Sequence, residues 1–299
     1  MILHVLFVAT ALALVTSCCE AFTIFPSQQQ LPQLSSLTYV IEHLFSPPLQ
    51  VTPLEELINI RIPGPSDKEI LAYEAIPSGY NDNNKQNNQS KDDVLPSIIL
   101  IHEFFGLNPS IIEKAEALSN ELNCRVIAPD TFRGQVTDFI PKAIWLALST
   151  PQDRVNDDLN YVCSYIESEN KLLGTSNGKF AIMGFCYGGG KAIRYTTQCR
   201  QDAATVIFYG SPLTDEDILK QLNAPVCAVY GNKDAQFPKA LIDKFQRSLD
   251  DAGIENNVRT YDNVGHAFWS DMGQIRRGDQ PQTDAYEQCI SFLRDFFDA

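Results

Sequence analysis

From Ile98 onward, short unbroken apolar runs alternate with segments of helical spacing, and this alternation fixes the fold class. Ile98–Ile101, Arg125–Ala128, Phe180–Phe185, Val206–Tyr209, Val226–Tyr230 and Val258–Tyr261 read as strands. Runs without polar interruption are expected where both faces of a strand are covered, as in a parallel sheet. Between them, Ile111–Leu122 carries Ile112, Ala115, Leu118 and Leu122 on one helical face. Ile140–Leu148, Val155–Ile166, a segment from about Gly189 to Gln198, Pro238–Leu249 and Asp284–Phe297 read as further helices, the last with Cys289, Ile290, Leu293 and Phe297 inward. Such alternation predicts an α/β fold with a doubly wound, mostly parallel sheet. Ahead of it, Leu57–Ile62 and Ile70–Ile76 flank Pro63-Gly64-Pro65-Ser66-Asp67, a hairpin signature that supplies leading antiparallel strands.

The first 53 residues do not belong to this pattern. Ile2 to Val15 is apolar but too short to span a bilayer, and Cys19-Glu20-Ala21 places small residues at a signal-peptidase site. Residues 1–21 are therefore expected to be a removable signal peptide, and 22–53, rich in Gln, Ser and Pro, a linker or second targeting segment. Entry into the secretory pathway follows. The Ala21-Phe22 junction also resembles bipartite plastid presequences, which makes a plastid the alternative destination. Residues 54–299 form the expected domain, with 79–93 as a surface loop too poor in apolar side chains to pack. Asn88-Gln89-Ser90 is a glycosylation sequon within that loop.

Charge narrows the partners. The chain carries 23 Lys and Arg against 37 Asp and Glu, a formal net charge of −14, with no basic cluster beyond Arg276-Arg277. A nucleic-acid backbone needs more than that, so nucleic acid is not an expected partner, nor is a membrane once the signal has left. The eight cysteines are scattered, unlike the dense framework of a small disulfide-stapled domain. Cys18 and Cys19 leave with the signal.

Gly184-Phe185-Cys186-Tyr187-Gly188-Gly189-Gly190 lies between a predicted strand and a predicted helix. This is the G-x-nucleophile-x-G elbow, with cysteine as nucleophile. The sharp turn needs small flanking residues and presents the thiol at a helix amino terminus, where negative charge is favoured. Asp234 follows the strand Val226–Tyr230, and His266 follows the last strand. The order Cys186, Asp234, His266 is the nucleophile–acid–base order of the α/β-hydrolase fold. Histidine would move the proton, and aspartate would fix its tautomer. His102-Glu103-Phe104-Phe105-Gly106 follows the first buried strand, in the loop that supplies one oxyanion N–H in this fold. The expected oxyanion donors are the backbone N–H groups of Phe104 and Tyr187. Glu103 is expected to point into the site beside Cys186.

At Glu103-Phe104-Phe105-Gly106, Gly184-Phe185-Cys186-Tyr187-Gly188-Gly189, Asn232-Lys233-Asp234 and Gly265-His266-Ala267-Phe268, the chain resembles the dienelactone hydrolase (carboxymethylenebutenolidase) family, over about residues 57–297. The resemblance implies a Cys186-His266-Asp234 triad with Glu103 as auxiliary acid/base, and cleavage of an ester or lactone through a thioester without metal or cofactor. Founding members hold a substrate carboxylate with two arginines. Arg133 matches one; the other position, four after the histidine, is Ser270 here. Phe105, Phe268 and Trp269 are expected to make the rest of the substrate wall apolar. If Cys186 is the nucleophile, five cysteines remain and cannot all pair, which points to buried thiols.

The expected function is hydrolysis of small esters or lactones by a monomer. The alternatives are a non-catalytic ligand-binding protein on the same fold and a cysteine peptidase. The second lacks the Cys-Gly-Ser-Cys-Trp-like segment of its papain-type form.

Overall fold

The protein is described from a computed structural model, which covers residues 52–65, 68–80, 94–172 and 178–299. The expected signal peptide, almost all of the segment after it, most of the 79–93 loop with its sequon, and the Ser66-Asp67 tip of the hairpin lie outside the described residues.

Eight strands form one sheet: β1 (Ile60–Pro63), β2 (Glu69–Ala75), β3 (Ser97–Ile101), β4 (Arg125–Pro129), β5 (Phe180–Phe185), β6 (Ala204–Phe208), β7 (Val226–Gly231) and β8 (Asn256–Tyr261). Their spatial order is β1-β2-β4-β3-β5-β6-β7-β8. β1 pairs with β2 and β2 with β4 antiparallel, and every other pairing is parallel. The expected leading hairpin on a parallel sheet is what the chain forms. The strand order reverses direction between β3 and its neighbours, and loops at the carboxyl ends of strands there are the usual place for a ligand site.

Nine helices flank the sheet among the described residues: α1 (Leu54–Leu57), α2 (Pro109–Leu122), α3 (Ile140–Ser149), α4 (Gln152–Leu172), α5 (Tyr187–Gln198), α6 (Glu216–Leu219), α7 (Lys239–Asp251), α8 (Met272–Arg277) and α9 (Gln282–Asp298). Strand side chains alternate between two cores, as the two-residue period requires. Leu100, Val126, Met183, Phe185 and Phe208 face Ile111, Ala115 and Leu118 of α2 and Cys289 and Leu293 of α9. Ile99, Ile101, Ile127 and Ile182 face Val155, Leu159 and Val162 of α4 and Ala192 and Tyr195 of α5. On the same side, Ile207, Ala228 and Tyr230 meet Ile242, Phe245 and Leu249 of α7. Central strands β3, β5, β6 and β7 are buried at every residue, the physical reason their sequences run apolar without alternation.

Some boundaries differ from the sequence reading. The stretch expected to be a strand from Leu57 begins with a helical turn, because Leu54 and Leu57 are three apart and one turn buries both. Strand pairing starts only at Ile60. The helix after the elbow begins at Tyr187 rather than near Gly189. Helices α6 and α8 are too short to show periodicity, and their caps define them. Asp215 accepts from the Ile218 N–H, and Asp271 with Gln274 forms a capping box that ends at left-handed Gly278. No helix among the described residues is long and apolar enough to cross a membrane.

Candidate active site

The turn from β5 into α5 places Cys186 at φ 51° and ψ −112°. Positive φ on a residue with a side chain costs on the order of 1–3 kcal/mol and persists only where the surroundings enforce it. Here the enforcement is contact. The Cys186 N–H donates to the Phe208 carbonyl at 2.9 Å. A Cβ on Gly188 would lie 2.3 Å from the Ile101 carbonyl oxygen, so only glycine lets the elbow sit against the end of β3. The strained turn leaves the Cys186 side chain half-buried and partly accessible.

His266 comes from the loop after β8. Its Nε2 is 3.0 Å from Cys186 Sγ, and its Nδ1 is 2.7 Å from Asp234 Oδ2. Asp234 is almost fully buried, and its other oxygen accepts from the Gln236 and Phe237 N–H groups at 2.8 and 3.3 Å. Two backbone donors thus hold the carboxylate aimed at the imidazole. Burial works against a charged imidazole, but the hydrogen bonds to Asp234 and Cys186 outweigh it and push His266 up to about 10. The preferred state is an imidazolium between a carboxylate and a sulfur.

Glu103 stands in the loop after β3. Its carboxyl is desolvated, which raises its pKa, opposed by the Lys114 and His266 charges and by the Tyr209 hydroxyl. That hydroxyl is 3.3 Å from Glu103 Oε1 and 3.0 Å from the Trp269 carbonyl. Phe104 and Phe105 follow in a turn closed by the Gly106 N–H on the Glu103 carbonyl at 3.1 Å. Their rings pack against each other with centroids 4.1 Å apart. Among the described residues, neither the Phe104 nor the Tyr187 N–H donates to another loop or turn backbone carbonyl.

The expected substrate wall is placed less uniformly. Arg133 holds φ 53° and turns its guanidinium onto Asp158, with Nη2 2.7 Å from Oδ1 and Nε 3.4 Å from Oδ2. Asp158 is 1% exposed, so the guanidinium neutralises a buried carboxylate. Trp269 has no exposed surface; its ring packs edge-on against Phe185, Phe208 and Tyr286, and its N–H donates to the Asp271 carbonyl. Phe268 is 8% exposed and packs against Tyr209 and Tyr261.

Three residues beside the site have no counterpart in the sequence reading. Tyr209 also lies edge-on to the His266 ring, with centroids 5.4 Å apart. Lys114, 1% exposed, donates to Ser110 Oγ at 2.6 Å and the Ser270 carbonyl at 2.8 Å. Its ammonium also lies over the Phe185 and Trp269 rings. A lone lysine among Ile111, Ala115 and Leu118 is a visible break in an apolar face, and it was the available signal. His102 is wholly buried behind Glu103.

Burial pushes Cys124 and Cys227 up to about 12 and Cys163 to about 11, and raises Cys199 and Cys289 as well. All five are free, and of them only Cys199 is not fully buried. Among the described residues, no group of three or more His, Cys, Asp and Glu is placed to hold a metal ion.

Comparison with known proteins gives a consistent relationship. The model of the dienelactone hydrolase family matches residues 86–297. The protein of Escherichia coli (strain K12) named "Putative carboxymethylenebutenolidase" is 30% identical over 227 residues, covering 69% of this chain and 80% of its own. A Methylorubrum extorquens protein of the same name is 24% identical over 252 residues, covering 80% of each. Among solved structures, a Klebsiella pneumoniae protein titled as a "Putative Dienelactone Hydrolase" superposes with a TM-score of 0.62 at 24% identity, covering 78% of this chain and 95% of its own. A Thermogutta terrifontis esterase superposes with a TM-score of 0.55 at 14% identity, covering 80% and 92%. These last two establish the α/β-hydrolase fold.

Proposed function

The chain belongs to the dienelactone hydrolase family and is a hydrolase of ester or lactone bonds, and we propose that it works through a Cys186-His266-Asp234 triad and a thioester intermediate. One observation carries this reading. A single imidazole touches the sulfur of a strained elbow cysteine with one nitrogen and a buried carboxylate with the other.

The steps follow from those contacts. Cys186 sulfur, as thiolate beside imidazolium His266, attacks the carbonyl carbon of the substrate. Negative charge gathers on the carbonyl oxygen, where the N–H groups of Phe104 and Tyr187 receive it. The tetrahedral adduct collapses, the C–O bond breaks, and the His266 Nε2 proton goes to the leaving alkoxide. Neutral His266 then takes a proton from water, whose oxygen attacks the thioester. The second collapse releases the acid and restores the thiolate–imidazolium pair. Asp234 keeps Nδ1 protonated and supports the positive ring throughout. Glu103 is the auxiliary acid/base, a desolvated carboxyl within electrostatic reach of His266. Small esters and lactones suit the half-buried, apolar Phe104 and Phe105 rings that follow Glu103.

Iodoacetamide tests the activated thiol directly. Cys186 should alkylate far faster than Cys124, Cys163, Cys199, Cys227 and Cys289, and a saturating p-nitrophenyl ester should protect it. Equal labelling of several cysteines, or no protection, would remove the basis for this reading.

A further inference from the structure

His102 takes no part in those steps, yet it is buried to 0% exposure at the end of β3 with both ring nitrogens engaged. Nδ1 lies 2.7 Å from the Glu103 carbonyl oxygen. Nε2 lies 3.1 Å from the Thr131 backbone nitrogen and 3.0 Å from Thr131 Oγ1. A backbone N–H only donates and a carbonyl only accepts, so these partners assign the tautomer. Nε2 is the bare nitrogen, and Nδ1 carries the proton. Burial favours the neutral ring over the pull of Asp130, whose Oδ1 is 3.8 Å away. Phe132 packs edge-on to the ring and Tyr187 stacks on it, so its plane is held as well.

The consequence falls on the far edge of the peptide that His102 grips. The Glu103 carbonyl accepts from His102 Nδ1–H and from the Gly106 N–H at 3.1 Å. In a trans peptide, C=O and N–H point in opposite directions. Two donors that fix the Glu103 oxygen therefore fix the direction of the Phe104 N–H, the donor assigned above to the oxyanion. The His102 backbone also lies close against the elbow that carries the other donor. Its carbonyl oxygen would be 2.6 Å from a Cβ on Gly188, the residue next to Tyr187.

We propose that His102 is a positioning residue that sets the oxyanion site, by clamping the Glu103–Phe104 peptide from behind and holding it in register with the elbow. This inference rests on the proposed function, since it concerns the transition state of acyl transfer. It assigns His102 no proton transfer and no contact with substrate.

Two substitutions separate positioning from packing. His102→Gln keeps a donor for the Glu103 carbonyl and an acceptor for the Thr131 N–H, whereas His102→Leu keeps neither. Each variant is assayed for kcat and KM on a p-nitrophenyl ester and for the rate of Cys186 alkylation by iodoacetamide. Alkylation attacks a saturated carbon and develops no oxyanion, so it reports the thiol alone. The Leu variant should lose at least about tenfold in kcat with KM little changed, since one misaligned oxyanion donor weakens only the transition state. Its alkylation rate should match wild type, and the Gln variant should recover most of kcat. Full activity in the Leu variant, equal loss in Gln and Leu, or alkylation falling in step with kcat would overturn the proposal. If the Leu variant does not fold, His102→Met, which fills the space of the ring without a donor for the Glu103 carbonyl, replaces it and is read by the same outcomes. Wild-type turnover that does not need Cys186 would sink the parent reading and this one together. Cys186-dependent turnover indifferent to His102 would sink this one alone.

Discussion

A methyl group on Gly184 would lie 2.2 Å from the carbonyl carbon and oxygen of Gly188, so the turn that carries Cys186 closes only with bare glycine at its entry. The offending atoms are backbone at the start of α5 and cannot swing aside. Gly184→Ala should therefore cost about 3 kcal/mol of stability, the upper end of ordinary overpacking, and should displace the elbow. Denaturant unfolding and ester turnover check this together. A variant with wild-type stability and activity would show that the turn can open.

The His266 ring predicts a distinct alkaline titration. Its pKa is about 10 in the folded chain against 6.5 for the free group. The folded state holds this proton more tightly than the unfolded state. Its contribution to stability is thus complete below about pH 6.5 and is lost as pH rises through about 10. The NMR titration of the His266 ring should have a midpoint near 10 in wild type. Asp234→Asn and Cys186→Ala should each move it down, because each removes a partner that favours the charged ring. A wild-type midpoint near 6.5 would contradict a charged imidazole at His266.

Tyr209 offers one hydroxyl proton to two oxygens, those of Glu103 and the Trp269 carbonyl. The hydroxyl donates to both acceptors, and its bond to Glu103 lowers the pKa of a carboxyl that burial raises. Tyr209→Phe should cost about 1–3 kcal/mol by leaving the buried Trp269 carbonyl without its donor. It should also raise the Glu103 pKa further, since a hydrogen bond that lowers it is gone. Denaturant unfolding measures the first effect. Infrared titration of the carboxyl band, assigned by its loss in Glu103→Gln, measures the second. An unmoved titration would show that the hydroxyl does not bear on Glu103.

Arg133 separates a structural from a substrate-holding guanidinium. Removing it leaves Asp158 buried without its ion pair. Because Arg133 is part-exposed, the loss should be about 2 kcal/mol, below the ~3–5 kcal/mol of a fully buried pair. Arg133→Ala should accordingly lower the unfolding midpoint, with Asp158→Asn restoring part of it. The ratio of KM for a carboxylated and a neutral phenyl ester should stay nearly constant. A selective rise for the carboxylated ester would show that the guanidinium leaves Asp158 to hold substrate.

Most of the sheet could be read from the chain, because β3, β5, β6 and β7 are buried on both faces and each must therefore be an unbroken apolar run. The elbow could be read for a related reason. Gly184 is demanded by Gly188 four residues on, so part of the cause lies in the same stretch as the signal, although Gly188 itself is demanded by Ile101 and His102 at the end of β3. The surroundings of Glu103 could not. Tyr209 reaches it from 106 residues away, and Lys114 reaches the Ser270 carbonyl across 156. Such partnerships depend on how α2 and the loops after β6 and β8 meet over the sheet, which no local pattern records. The Arg133–Asp158 pair was hidden in the same way, across 25 residues and a change of element. Helices α6 and α8 were written in their capping residues, but four to six residues leave too little periodicity to separate a helix from a turn.

The central claim is that Cys186 becomes acylated during turnover. Rapid acid quench after mixing with a p-nitrophenyl ester, followed by intact-mass and peptide analysis, tests it most directly. The account predicts one acyl group per chain on the peptide containing Cys186, formed at least as fast as steady-state turnover, and neither adduct nor turnover in Cys186→Ala. Undiminished turnover by purified Cys186→Ala, or an acyl group on any other residue at a competent rate, would contradict it.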